Sequence, residues 1–136
     1  MDFTKSMMIA ASGLRAQAGR MRVLAENIAN VDSTSTEPGG DPYRRKIATF
    51  RTHFDRAVGA NVVELGRVRR DPTSFRSHYD PGNPGANELG YVKMPNVNDL
   101  IEAVDMRDAQ RTYEANLNVI SAARGMIGKT LDILRG

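Results

Sequence analysis

The sequence predicts a mainly α fold: long N- and C-terminal helices packed as a coiled-coil-like pair, with a small irregular β-containing middle region. Three observations predict it. From Asp99 onward, Met106, Tyr113, Ile120, Ile127 and Leu134 recur every seven residues, with Leu117 and Leu131 four residues after Tyr113 and Ile127, so one apolar stripe runs along a helix. From Asp2 to about Asn30 the same spacing returns in Met7, Leu14, Met21 and Ile28, with Ala11, Ala18 and Ala25 four residues after the first three. No proline follows Pro95, so the last helix can run unbroken for about 36 residues, roughly 54 Å. These features divide the chain into residues 1–32 (first helix), 33–98 (β and loop region) and 99–136 (last helix). Strict seven-residue repeats favour a left-handed supercoil, with leftover apolar surface offered to neighbouring chains.

Asp2 is the expected N-cap of the first helix, its carboxylate accepting from orphan amides of the first turn. Gly13 and Gly19 inside the helix each cost about 1 kcal/mol relative to Ala. The segment is therefore expected to be loose in the monomer and to order on packing. It should end near Asn27–Asn30, because Val31 to Thr36 favour turns and Pro38, Gly39, Gly40 and Pro42 break the helix. Tyr43 to Phe50 reads as a short, irregular strand. Val62–Leu65 and Arg67–Arg70 form a second β candidate, bent at Gly66. Asp80–Gly85 is too rich in breakers for helix or central strand and reads as an ordered loop. Gly90 to Pro95 is a brief extended segment. Asp99 to Glu102 has the spacing of a capping box with Asp at the cap.

Aromatic residues make up only 6% of the 136, and there is no Trp, which leaves the middle few large side chains for a core. The net charge of +3 is localised: residues 41–71 hold eight Lys or Arg against four Asp or Glu, whereas 99–136 hold five against six. The absence of cysteine excludes disulfides and thiolate metal sites. No apolar run reaches the length of a membrane span. The N-terminus has neither a basic n-region nor an Ala-x-Ala site, so a cleaved Sec signal is not expected.

An enzyme reading has little support. His53 and His78 have no second ligand at helical spacing. A carboxylate pair drawn from Asp80, Asp99 and Glu102 is explained instead by a turn and a helix start. No cofactor or metal is expected. Arg44–Arg45–Lys46 and Arg67–Arg70 raise a rival, a small nucleic-acid-binding protein, but only Tyr43 and Phe50 could serve as stacking platforms; a solvated face meeting an acidic neighbour is the plainer reading. A closed coiled-coil dimer or hairpin is a third reading, weakened by Gly13, Gly19, Gly125 and Gly128 in the helices. Gln17, Asn27, Asn30 and Asn116 lie on or beside the stripes, where polar groups can fix the register of neighbouring subunits. The subunit interface is thus expected to use Met7, Leu14, Gln17, Met21, Asn27, Ile28, Asn30, Met106, Tyr113, Asn116, Leu117, Ile120, Ile127, Leu131 and Leu134.

Leu14, Gln17, Arg20, Met21 and Asn27–Asn30, followed by Ser33 and Thr34, resemble the N-terminal signature of the rod and hook proteins of the bacterial flagellum. Tyr43–Lys46, Tyr79–Asp80–Pro81–Gly82, Gly90–Tyr91–Val92, Pro95–Asn96–Val97–Asn98 and Arg111–Asn116 narrow the resemblance to the proximal-rod members of that family. The chain carries Asn83 and Gly85 where the family loop usually has His and Asp. The resemblance implies a structural subunit of the rod, the periplasmic drive shaft that carries torque to the hook. It further implies terminal helices packed into an inner tube, self-assembly with other rod proteins, and export through the flagellar type III apparatus without cleavage. Phe3 and Met7 resemble the Phe-x-x-x-hydrophobic element read by that export gate, and both also fit the helix stripe. No nucleic acid and no membrane insertion are expected.

Overall fold

The computed structural model describes residues 2–136. Two helices, α1 (Phe3–Ala29) and α2 (Asp99–Arg135), flank six short strands. The strands pair antiparallel into three separate ribbons. β1 (Lys46–Ile47) pairs with β4 (Arg69–Arg70), β2 (Phe50–Asp55) with β3 (Ala60–Leu65), and β5 (Arg76–Tyr79) with β6 (Tyr91–Met94). The chain forms two compact units, and each helix contributes a portion to both.

The first unit contains α1 as far as Met21, the β2–β3 hairpin (Ala48–Arg67) and α2 from Arg107 onward. Asp2 caps α1 as expected, its Oδ1 accepting from the Lys5 amide at 3.0 Å. At the hairpin tip, Gly59 adopts φ +72° and donates to the Asp55 carbonyl at 2.7 Å, a left-handed turn that a Cβ would strain. β3 faces α1: Ser12 Oγ accepts from the Val63 amide at 3.3 Å and donates to the Ile9 carbonyl at 2.7 Å. A Cβ added at Gly19 would come within 2.8 Å of Leu65 Cδ2, and one at Gly13 within 2.9 Å of Asn116 Nδ2. The two helical glycines, read from sequence as weak points, are therefore close-approach points. Gly13 lies against Asn116 and Arg20 reaches Asp108 at 4.0 Å, so the two helices run antiparallel within this unit.

The seams differ from the expected stripes. The residues most buried along the helices are Ala10, Ser12, Ala16, Val23, Leu24 and Asn27 on α1, and Glu102, Ala109 and Ala123 on α2. Met7, Leu14, Met21, Ile28, Met106, Tyr113, Ile120 and Ile127 are half-buried, and Ala18 and Ala25 are exposed. Small side chains let backbones approach, and the larger residues beside them are left at the margins of the contact.

The second unit holds Arg22–Ile47 and Val68–Met106. After Ala29 the chain turns on Asn30, whose Oδ1 accepts from Ser33 Oγ at 2.9 Å, and Tyr43 N then donates to the Ser33 carbonyl at 3.0 Å. β5 was not legible: Arg76, Ser77, His78 and Tyr79 are all exposed, so no alternation marks them. Their pairing with β6, centred on buried Val92, makes them a strand. The Asp80–Gly85 loop is a series of turns, with Asn83 N donating to the Asp80 carbonyl at 3.1 Å. The cap lies one residue earlier than the capping-box spacing predicts: Asn98 Oδ1 accepts from the Leu100 and Ile101 amides at 3.1 and 3.3 Å, while Asp99 Oδ1 accepts only from the adjacent Leu100 amide. Glu102 turns inward instead.

Candidate assembly interface

Glu102 is the anchor of the second unit. Its side chain is 0% exposed, and its Oε1 accepts from Arg45 Nε in a short ion pair while Oε2 accepts from Asn27 Nδ2 at 3.2 Å. Arg45 Nη1 reaches Asp71 Oδ2 at 3.0 Å. Asn27 Oδ1 accepts from Tyr43 Oη at 2.8 Å and from Lys46 N at 2.9 Å, and its Nδ2 also donates to the Lys46 carbonyl at 2.8 Å. Asn96 Oδ1 accepts from the Arg45 amide at 2.7 Å, and Asn96 Nδ2 donates to the Asp71 carbonyl at 3.1 Å. One polar network thus ties the end of α1, the segment at residues 43–46, Asp71, Asn96 and the first turn of α2.

The electrostatics follow from that geometry. Burial by itself would lower the Arg45 guanidinium, but its hydrogen bonds to Glu102 and Asp71 hold it above its ordinary value. The Thr73 backbone amide, helped by the Thr73 side chain and Arg45, holds the Asp71 carboxyl below its ordinary range against the opposing effect of burial. Burial, then the nearby Glu26 and Glu102 carboxylates, raises the Tyr43 phenol, so the ring stays a donor to Asn27.

The basic run Arg44–Arg45–Lys46 is not a solvated face. Arg44 stacks over Phe75 at 4.2 Å and donates to the Asp71 and Thr73 carbonyls, Arg45 is held in the network, and Lys46 Nζ pairs with Glu26 at 3.0 Å. Of the two stacking platforms, Tyr43 is engaged with Asn27 while Phe50 stays exposed, and the second basic run, Arg67, Arg69 and Arg70, is exposed as well. Among the described residues no group of three or more His, Cys, Asp or Glu could hold a metal ion, and no helix is long and apolar enough to cross a membrane.

Of the polar residues expected at a subunit interface, Asn27 is wholly engaged inside its own chain. Asn30 Nδ2 donates to the Glu26 carbonyl at 2.9 Å, and Asn116 Nδ2 to the Thr112 carbonyl at 3.1 Å. Gln17 Oε1 is buried with no hydrogen-bond partner among the described residues. In the loop motif, Tyr79 and Tyr91 meet edge to face at 5.3 Å, Pro95 and Val97 are buried, and Asn98 caps α2. Asp80 is half-buried, Pro81 exposed and Gly90 buried, with φ +84° beside the Tyr79 ring. Phe3 is half-buried.

The apolar surface that remains uncovered is concentrated on α2. Leu117 and Leu131 are exposed, and Ile133 and Leu134 are 79% and 77% exposed; Leu100, Ile101 and Val104 are exposed at its other end. Exposed apolar side chains gathered on one helix in this way suit association surfaces.

Residues 7–35 match the family described as "Flagella basal body rod protein", and residues 88–133 the family described as "Flagellar basal body rod FlgEFG protein C-terminal". The chain is 50% identical over 127 residues to the flagellar basal-body rod protein FlgC of Agrobacterium fabrum, covering 93% of this chain and 91% of the relative. It is 40% identical to FlgC of Escherichia coli O6:H1 over 125 residues, 92% of each chain. FlgC of Bacillus subtilis is 36% identical over 143 residues, covering 94% of this chain and 95% of the relative. The chain belongs to the flagellar basal-body rod protein family. These relatives are structural rod proteins, not enzymes. The rod-family matches fall on α1 with its following turn and on β6 with α2, segments that carry Asn27, Asn96 and Glu102 of the buried network and most of the uncovered apolar residues of α2.

The sequence alone did not mark Tyr43, Arg45, Asp71 and Glu102 as one cluster. A signal existed: Glu102, Ala109, Asn116 and Ala123 are spaced by seven, and a carboxylate continuing a line of small residues is a charge in need of a partner.

Proposed function

We propose that the chain is a structural subunit of the proximal rod of the bacterial flagellar basal body, assembling with itself and other rod proteins into the drive shaft that transmits torque. The observation that carries this reading is the exposed apolar surface of α2 in a chain that matches FlgC relatives over nearly its full length. Heterologous contacts that do not close build helical filaments, and an apolar helix face with no cover inside its own chain suits such a contact.

In this reading residues 1–32 and 99–136 form the inner-tube part, packed as a coiled-coil-like pair, and residues 33–98 form the smaller outer region. Met7, Leu14, Gln17, Met21, Ile28, Asn30, Met106, Tyr113, Asn116, Leu117, Ile120, Ile127, Leu131 and Leu134 meet neighbouring subunits, and Asn27 serves from within by fixing the end of α1. The subunit passes through the flagellar type III export apparatus without cleavage, with Phe3 and Met7 as its export element, and works in the periplasmic space. An immunoblot of salt-washed hook-basal bodies, beside cytosol and nucleic-acid fractions, tests the assignment. Retention in the washed basal body is expected; confinement to cytosol or nucleic acid would overturn it.

A further inference from the structure

Two surfaces of the second unit are each incomplete. In the β1–β4 ribbon, Lys46 stands directly opposite Arg70 and Ile47 opposite Arg69, and like charges facing across a ladder repel. Glu26 relieves Lys46 at 3.0 Å. Among the described residues nothing relieves Arg69 or Arg70, which are exposed beside the exposed Val68.

At the start of α2, Leu100, Val104 and Ile101 are 71%, 61% and 52% exposed. They share an arc of about 100° of the helix, and Asp99 and Asp105 flank it on either side. Neither aspartate enters an ion pair among the described residues. Asp99 only accepts from the adjacent Leu100 amide at 2.9 Å.

We infer that the apolar arc Leu100–Ile101–Val104 is the docking site for the Val68–Arg70 ribbon of a second copy of this chain. The inference rests on the rod-subunit reading and gives it a specific self-contact. Charge complementarity selects the occupant: Asp99 and Asp105 meet Arg69 and Arg70, while Val68 covers part of the arc. An exposed apolar arc rimmed by acids and a basic strand with one apolar residue have the core-and-rim arrangement of a protein interface. A nucleic acid would satisfy the arginines but leave the leucine, isoleucine and valine wet. Because the two surfaces differ, the contact is heterologous and leaves a free copy of each surface to bind again.

The chain has no native cysteine, so single cysteines report the contact directly. Purified full-length Arg70→Cys and Asp105→Cys chains, mixed under mild oxidation, are expected to give the mixed disulfide in at least about tenfold excess over chance pairing. That excess should fall as salt rises. Adding Arg69→Glu to the first chain should abolish it, and adding Asp99→Lys to the second should restore it. Circular dichroism of each variant checks that the substitutions leave the fold intact. Mixed disulfide at chance level, or loss that the paired reversal does not restore, overturns the contact. So does a salt-sensitive mobility shift of duplex DNA without mixed disulfide. Basal-body retention of the wild-type chain is scored separately, so the self-contact and the rod assignment can fail independently.

Discussion

Replacing Arg45 by Met tests what holds the second unit together. Glu102 is 0% exposed and has two side-chain partners, Arg45 and Asn27. Removing the guanidinium leaves a buried carboxylate with one neutral donor, a loss of about 3–5 kcal/mol for a fully buried pair. The Arg45 side chain keeps 23% exposure, so water can partly refill the site and the lower end applies: about 3 kcal/mol, or a factor of about 150 in the folding constant. Glu102→Leu should cost less, about 1–2 kcal/mol, because Arg45 retains Asp71 and solvent. The double variant Arg45→Met, Glu102→Leu removes both charges and should fall within about 1 kcal/mol of wild type. The cycle thus predicts a coupling of about 3–5 kcal/mol. Urea unfolding of the full chain, followed by far-ultraviolet circular dichroism and tyrosine fluorescence, measures all four species. Additive single losses, or an Arg45→Met loss below about 1 kcal/mol, would refute the claim that a buried ion pair pins α2 to the segment at residues 43–46.

Four further outcomes are expected. The folded-state Asp71 carboxyl lies below its ordinary value, so its contribution is fully present above about pH 4 and is lost as pH falls through the folded value; thermal melts between pH 3 and 6 should show an acid decline that Asp71→Asn flattens. Gly13→Leu should destabilise by about 1–3 kcal/mol through overpacking against Asn116, and Asn116→Ala should recover part of it in urea melts. Tyr43→Phe removes a donor from Asn27 Oδ1 but leaves the Lys46 amide in place, so a loss of about 1 kcal/mol is expected in the same assay. Ile133→Ser with Leu134→Ser, on side chains nearly free in the subunit, should leave monomer stability within about 0.5 kcal/mol yet reduce incorporation into basal bodies and swarming on soft agar; normal swarming would remove these residues from the interface.

The sequence by itself determined the helices, their ends to within a residue or two, and the broken middle, because seven-residue spacing, the Asp2 cap and the clustering of Pro and Gly are local signals. It also carried the family, since the rod motifs lie in those same local segments. What only tertiary structure decided is which face each helix buries. Seven-residue repeats marked Met106, Tyr113, Ile120 and Ile127, but the deepest residues are Ala109, Ala123 and Glu102, because close approach of two backbones is a property of the pair. β5 lacks alternation and exists only because β6 pairs with it. Glu102 matched a capping box by spacing, yet Asn98 takes the cap and Arg45, 57 residues away in sequence, takes the carboxylate. A charge with a distant partner leaves no local trace, so only the folded chain reveals that the arginine is a pin and not a surface charge.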